Sequence, residues 1–347
     1  MEILPKNLGT RPRLAVEIKS EGVIAARAED ATALLEAVAE RSLPEGALVA
    51  GLKAGNIADR ARVIAAVRET LDAVSGRGEK RTRYVTLVVP DAATRVLLLD
   101  FDELPAKAVE ALPIVRFRLK KVVPFDPDHA AVSYQVMSTD QGVMRVLVVV
   151  MQADVLEEYE SAVTAAGYVP GAVIPATIAV LAALEEQEAP VLIVNAGRSG
   201  VTTAIVRGGT LLLHRAMELA GDELDIDALV DTQIANGLAG YDRIEAEAVM
   251  ETHVLETIEQ HHVTARDVAQ TVSVAAAYFE DTLSFAPEEV ISAGTIGADG
   301  LRSILEENGI VGLNVRELVT TQGIAAGAAT TGVSRGWMAG VRGALRN

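Results

Sequence analysis

Two stretches of the chain, Leu14 to Ala26 and Val191 to Ile205, share one plan: an apolar strand, a carboxylate or amide, a glycine-bearing turn, and a second strand rich in β-branched or small residues. Short β-type runs about such a turn form a hairpin. A device that recurs in both halves of a chain points to duplication. Each half is then expected to open on a hairpin and to build a mixed sheet outward from it. The 347 residues allow two packed units or one large α/β unit. Half of them (50%) are hydrophobic and only 3% aromatic, so Ala, Val, Leu and Ile must fill the interior. Whole-chain disorder is excluded by that hydrophobicity.

Periodicity predicts the remaining elements. Asp30 to Arg41 carries Leu34, Leu35 and Val38 at helical spacing, and Ala58 to Val74 carries Val63, Val67, Leu71 and Val74. Ser75 to Arg81 reads as a charged, Gly-rich surface loop. Tyr84–Val89, Arg95–Phe101, Ala106–Lys121, Ala131–Met137 and Val143–Met151 read as a ββαββ unit. Helices are expected at Asp154–Ala166, closed by Gly167, and at Ala176–Glu188. The second half adds a tight turn at Gly208-Gly209 and a strand at Thr210–Arg215. Helices at Asp222–Asn236, Glu245–His261 and Val263–Leu283 follow, then a strand at Val290–Ser292, a helix at Asp299–Glu307, and Gly323 to Ala329.

Charge and composition remove several functions. The formal charge of −17, with no basic run interleaved with aromatics, opposes binding to nucleic acid. Without cysteine there is no disulfide framework, thiolate nucleophile or cysteine zinc site. No stretch near Met1 resembles a signal peptide, and Ala172 to Leu184 is too short to span a membrane, so a cytoplasmic location with only peripheral membrane association is expected. No G-x-S-x-G occurs to support a Ser-His-Asp hydrolase. His253, His261 and His262 read as a solvated helix surface and Asp222 to Asp227 as the acidic first turn of a helix. Gly294, Gly297 and Gly300 do not match a dinucleotide fingerprint and read as a loop leading into a helix.

Hairpin turns that face each other across a cleft can clamp phosphate, because glycines admit backbone N–H groups to the oxygens and a strand-end carboxylate can hold hydrated magnesium. The candidate clamp comprises Glu17, Lys19 and Ser20 in the first hairpin and Asn195, Gly197, Ser199, Gly200 and Thr202 in the second. Gly294 and Thr295, after a third strand, would pack on a nucleoside. The plain alternative is turn chemistry alone, in which Gly and Asn accept unusual backbone angles.

Three further stretches, Leu43 to Val49, Arg116 to Asp126 with Val132 to Val136, and Glu158 to Pro170, resemble the PilM family of actin-like type IV pilus assembly proteins. The resemblance spans about Leu14 to Ala329. It implies an α/β, actin-like (ribonuclease H-like, duplicated) fold of two lobes with an inserted ββαββ subdomain. The implied boundaries are a first lobe at 1–82 with 154–188, an inserted subdomain at 83–153, a second lobe at 189–333 with a helical part at 216–284, and a basic C-terminal tail at 334–347. The family implies ATP with Mg as ligand and a cytoplasmic scaffold at the inner face of the inner membrane. Its expected partners are the N-terminal cytoplasmic peptide of a PilN-like membrane protein, near Arg118, Lys121 and Pro124-Phe125, and the pilus motor ATPases.

The sequence departs from that family where chemistry would occur. Asp-Ile-Gly-Ser becomes Glu17-Ile18-Lys19-Ser20, Asp-x-Gly becomes Asn195-Ala196-Gly197, and Gly-Gly becomes Ala293-Gly294. Lys19 puts a side chain where glycine would admit phosphate, although its ammonium could neutralise phosphate charge, and Asn195 lacks a carboxylate's charge for a metal. These changes weigh against ATP hydrolysis and point to a degenerate, nucleotide-binding site with no catalytic residue. The rivals are an active actin-like ATPase or kinase and a type II secretion GspL-like module. In the tail, Trp337, Val341 and Leu345 share a face beside Arg335, Arg342 and Arg346. A frayed end or packing on the first lobe is expected in preference to membrane contact.

Overall fold

The computed structural model describes residues 11–29, 32–75, 83–140, 142–185, 188–217, 263–330 and 332–346. The chain opens with β1 (Leu14–Lys19), β2 (Gly22–Ala28), β3 (Leu35–Ser42), α1 (Arg60–Val74) and β4 (Tyr84–Val89). It continues through β5 (Arg95–Phe101), α2 (Ala108–Leu119), β6 (Ala130–Asp140) and β7 (Val143–Gln152) into α3 (Ala153–Ala165), β8 (Val169–Pro175) and α4 (Ala176–Ala182). The second half contains β9 (Val191–Gly197), β10 (Gly200–Arg207), β11 (Thr210–Met217), α5 (Ala265–Leu283), β12 (Glu289–Ala293) and α6 (Gly297–Glu307). It closes with β13 (Asn314–Glu317), β14 (Ile324–Ala329) and α7 (Arg335–Leu345).

The two large sheets repeat one topology. Strand order is β14-β3-β2-β1-β4-β8 in the first and β11-β10-β9-β12-β13 in the second. In each, three consecutive antiparallel strands are extended by two parallel ones beside the first of the three. The expected duplication is therefore present in the strand ladders. Both opening hairpins close through two residues, Ser20-Glu21 and Arg198-Ser199. Gly208 and Gly209 have φ of 52° and 78°, the left-handed pair that a tight hairpin turn requires.

Strand alternation sets what faces what. Leu14, Val16 and Ile18 of β1 point into a core with α1 and α3, whereas Ala15 belongs to the core between the two large sheets. Glu17 and Lys19 share the phase of Ala15, and so meet the other lobe. The loop after β3 docks on α3: Glu158 accepts from the N–H groups of Gly55, Asn56 and Ile57 at 3.0, 3.0 and 2.7 Å, and Tyr159 Oη donates to Asn56 Oδ1 at 3.1 Å.

Four expectations are corrected or refined. Residues 35–42 form a strand instead of a helix: the register with β2 skips Glu36, and this bulge puts Leu35 and Val38 on one face at a spacing of three that imitates a helix. The element order ββαββ is present, but its first strand, β4, pairs parallel with β1, leaving the three-stranded sheet β5-β7-β6 and α2 as the inserted body. β14, expected in the second lobe, pairs with β3 in the first sheet. The tail is a buried helix, α7, packed on α4, β1, β2, β4 and β12. The helices expected at 222–236 and 245–261, the acidic run 222–227 and His253, His261 and His262 lie outside the described residues. Among the described residues no helix is long and apolar enough to cross a membrane.

Candidate functional site

The two hairpin tips meet across the cleft. Glu21, in the first tip, reaches the second: Arg198 N–H donates to Glu21 Oε1 at 2.6 Å and Ser199 Oγ donates to Oε2 at 3.3 Å. Thr295, in the turn after β12, donates its hydroxyl to Glu21 Oε1 at 3.3 Å. A Cβ at Gly197 would collide with Glu21 Oε1 and stand 2.9 Å from Thr295 Oγ1, so a larger residue here requires the Glu21 side chain to move away.

Behind the tips lies a buried ion pair. Lys19 Nζ is 2.9 Å from Glu17 Oε1, and the Glu17 side chain is only 1% exposed. Its Oε2 has no hydrogen-bond partner among the described residues. Burial raises the Glu17 pKa, and the Asp91 and Glu21 charges push the same way. Burial alone would lower the Lys19 pKa, but Glu17, Glu21 and Asp91 together outweigh it and raise the ammonium's pKa. Burial thus sets the direction for Glu17, against the opposing pull of the Lys19 ammonium, and three carboxylates near one ammonium set that for Lys19.

A second chain of contacts joins the lobes. Asp91, just beyond β4, accepts from Thr177 N–H at 2.9 Å and from Thr177 Oγ1 at 2.5 Å. Asn195 Nδ2 donates to Thr177 Oγ1 at 2.9 Å, so the residue that stands in place of a metal-holding aspartate is used as a hydrogen-bond donor. Thr202 lies opposite Asn195 in the β9–β10 ladder and is buried within the sheet.

The helix α7 forms the third wall. Gly294 N–H donates to Gly336 O at 2.9 Å, and Gly294 itself has φ of 89°. A Cβ at Gly336 would stand 2.7 Å from Gly294 O, and one at Gly340 would stand 2.6 Å from Glu17 Oε2. Ser334 caps the helix by accepting from Trp337 N–H at 3.4 Å.

The structure thus gathers Glu17, Lys19, Ser20, Asn195, Gly197, Ser199, Gly200, Gly294 and Thr295 around one cleft, with Thr202 deeper in the sheet. Glu21, Asp91, Thr177 and Gly340 join them without having been anticipated. Glu21 adjoins the anticipated Ser20, and Gly336 and Gly340 have a Gly-x-x-x-Gly spacing, but neither pattern by itself points to this cleft. Among the described residues, a nucleoside triphosphate with magnesium does not fit the arrangement as it stands: the turn amide of Arg198 is already bonded to a carboxylate, the Lys19 ammonium is already paired, and α7 lies against Glu17. Among the described residues no three His, Asp or Glu side chains converge to hold a metal ion.

A second surface lies on the inserted body. Val109 and Phe117 of α2 are 78% and 66% exposed. With Leu112, Pro113, Arg116, Lys120 and Asp128 they line an open cavity of 490 Å³. Lys121 Nζ stands 5.7 Å from the centroid of the Phe117 ring. Phe125, singled out by the sequence, packs instead against the core of this body.

No protein-family model and no curated protein matches the chain. Solved structures do. A PilM–PilN type IV pilus biogenesis complex is 20% identical, covering 96% of this chain and 97% of the other, with a TM-score of 0.65. The ethanolamine utilization protein EutJ from Carboxydothermus hydrogenoformans is 12% identical over 98% and 92% of the two chains, with a TM-score of 0.43. The cytoplasmic domain of EpsL, an inner membrane component of the type II secretion system of Vibrio cholerae, is 13% identical over 61% and 74%, with a TM-score of 0.39. The last two are too distant to bear on the argument. The first, with the repeated strand topology, establishes an actin-like α/β fold.

Proposed function

We propose that this actin-like chain is a cytoplasmic scaffold of type IV pilus assembly at the inner face of the inner membrane, that it binds the N-terminal peptide of a PilN-like membrane protein, and that its cleft is a degenerate nucleotide site. The observation that carries the scaffold reading is the exposed apolar groove on α2, edged by Arg116 and Lys120, on a chain whose fold matches a PilM–PilN complex along nearly its whole length. Exposed apolar anchors on a helix face suit a short segment with apolar side chains, while Arg116 and Lys120 are held by Ala130 O and by Asp128. The degenerate reading is supported by charge: Glu17, Glu21 and Asp91 against Lys19 leave the cleft net negative, which opposes a polyphosphate. On this reading nucleotide acts as a conformational ligand instead of a fuel. Pilus motor ATPases are further partners on this reading.

The test is fluorescence anisotropy with a labelled N-terminal peptide of a PilN-like protein from the same organism, with and without Mg-ATP. Binding is expected in both states. Phe117→Asp is expected to weaken it by about tenfold or more, the effect of losing one interface anchor. Absence of binding in both states sinks the proposal. Turnover of Mg-ATP that Glu17→Ala abolishes would favour an ATPase or kinase instead.

A further inference from the structure

A phosphate clamp presents backbone N–H groups and hydroxyls at a point where negative charge is to sit. In this chain that point already holds charge. Arg198 N–H, Ser199 Oγ and Thr295 Oγ1, all from the second lobe, converge on the two oxygens of Glu21, from the first, at 2.6, 3.3 and 3.3 Å. A carboxylate accepting several donors is the side-chain group nearest in chemistry to a phosphate edge. A Cβ at Gly197 would meet Glu21 Oε1 and Thr295 Oγ1, so the glycine of the second turn leaves open the space that the carboxylate occupies.

The geometry points to Glu21 as an internal phosphate surrogate, a latch that holds the two lobes together without nucleotide and that any phosphate ligand must displace. This rests on reading the cleft as an altered nucleotide clamp. An ordinary glutamate in a two-residue turn would extend into water, where its charge is best solvated. Here it is half-buried and turned onto three donors of the other lobe. With Glu21 in place, an arriving phosphate meets, among the described residues, the carboxylates of Glu17, Asp91 and Glu21 beside Lys19. With Glu21 swung out, three donors are released and one negative charge departs, so displacement and anion binding are one coupled step.

The test is amide hydrogen exchange at Arg198 and Ser199 in the full chain, comparing wild type, Glu21→Ala and Glu21→Gln, with and without inorganic tripolyphosphate. In the wild type the Arg198 amide is expected to be protected and unmoved by tripolyphosphate. In Glu21→Ala it is expected to exchange about tenfold faster or more, the factor that a lost charge-assisted hydrogen bond represents, and tripolyphosphate is expected to restore protection. Glu21→Gln keeps an acceptor without the charge and should fall between. Amides of β1 and β9 report whether each variant is folded. Equal Arg198 exchange in wild type and Glu21→Ala overturns the proposal, as does equal protection of both by tripolyphosphate. Should Glu21→Ala exchange throughout, Glu21→Gln decides: protection by tripolyphosphate supports the latch and its absence overturns it. A chain that passes this test but captures no peptide keeps the latch and loses the scaffold. One that captures peptide while Arg198 ignores Glu21 keeps only the scaffold.

Discussion

Lys19 and Glu17 are the residues on which the stability of the cleft turns. Removing one partner of a buried pair leaves the other charge uncompensated, at about 3–5 kcal/mol. Lys19→Met is therefore expected to destabilise the chain by that order, read as a shift in the urea midpoint. The sign of its pH dependence follows from Glu17. An acid whose pKa is raised on folding stabilises fully below its unfolded value, and that share is lost as pH rises through the raised value. Lys19→Met raises the Glu17 pKa further, so its deficit should be larger at about pH 8 than at about pH 5. Gly340 offers a second check. Gly→Ala in an exposed helix stabilises by about 1 kcal/mol, whereas here the methyl would stand 2.6 Å from Glu17 Oε2. Gly340→Ala is expected to destabilise by about 1–3 kcal/mol in thermal or urea unfolding, as overpacking does. Glu17, Lys19, Asn195 and the turn glycines were legible because turn chemistry is written in adjacent residues. Glu21, Asp91 and Thr177 were not, because their partners lie in other elements.

At the scale of elements, local signals decide most boundaries. In α5, Thr264 accepts from Asp267 N–H at 3.2 Å while Asp267 Oδ2 accepts from Thr264 N–H at 2.9 Å, a reciprocal capping box. Thr264→Ala is expected to cost about 1 kcal/mol of stability in urea unfolding. Hydrogen bonds from Thr264 lower the Asp267 pKa, so this cap's contribution is present above the unfolded carboxylate value and is lost as pH falls through the lowered one. β3 shows where local signals mislead. A bulge adds one residue to a period of two, and the resulting spacing of three cannot be told from a helix until the strand has a partner. β4 is a related case: its apolar run marks a strand, but only its ladder to β1 assigns it to the first sheet.

For the whole molecule, the decisive element is α7. Trp337, Met338, Val341 and Leu345 are buried against both lobes. At about 2 kcal/mol for each such side chain, they contribute about 8 kcal/mol, comparable with the total stability of a domain, about 5–15 kcal/mol. A chain ending before Ser334 is therefore expected to lose its cooperative urea transition and near-ultraviolet dichroism; an unchanged transition would show that α7 is dispensable. By itself the sequence determined the duplicated hairpins, the aliphatic interior, most helices and the turns that form the cleft, since all of these depend on spacings of two to four residues. The tertiary structure alone decided what fills that cleft. A carboxylate in a turn and a glycine-spaced helix at the chain's end carry no local preference for it. They acquire one only when the docked lobes bring three donors to Glu21 and leave a space beside Glu17 that a helix without side chains at Gly336 and Gly340 can enter.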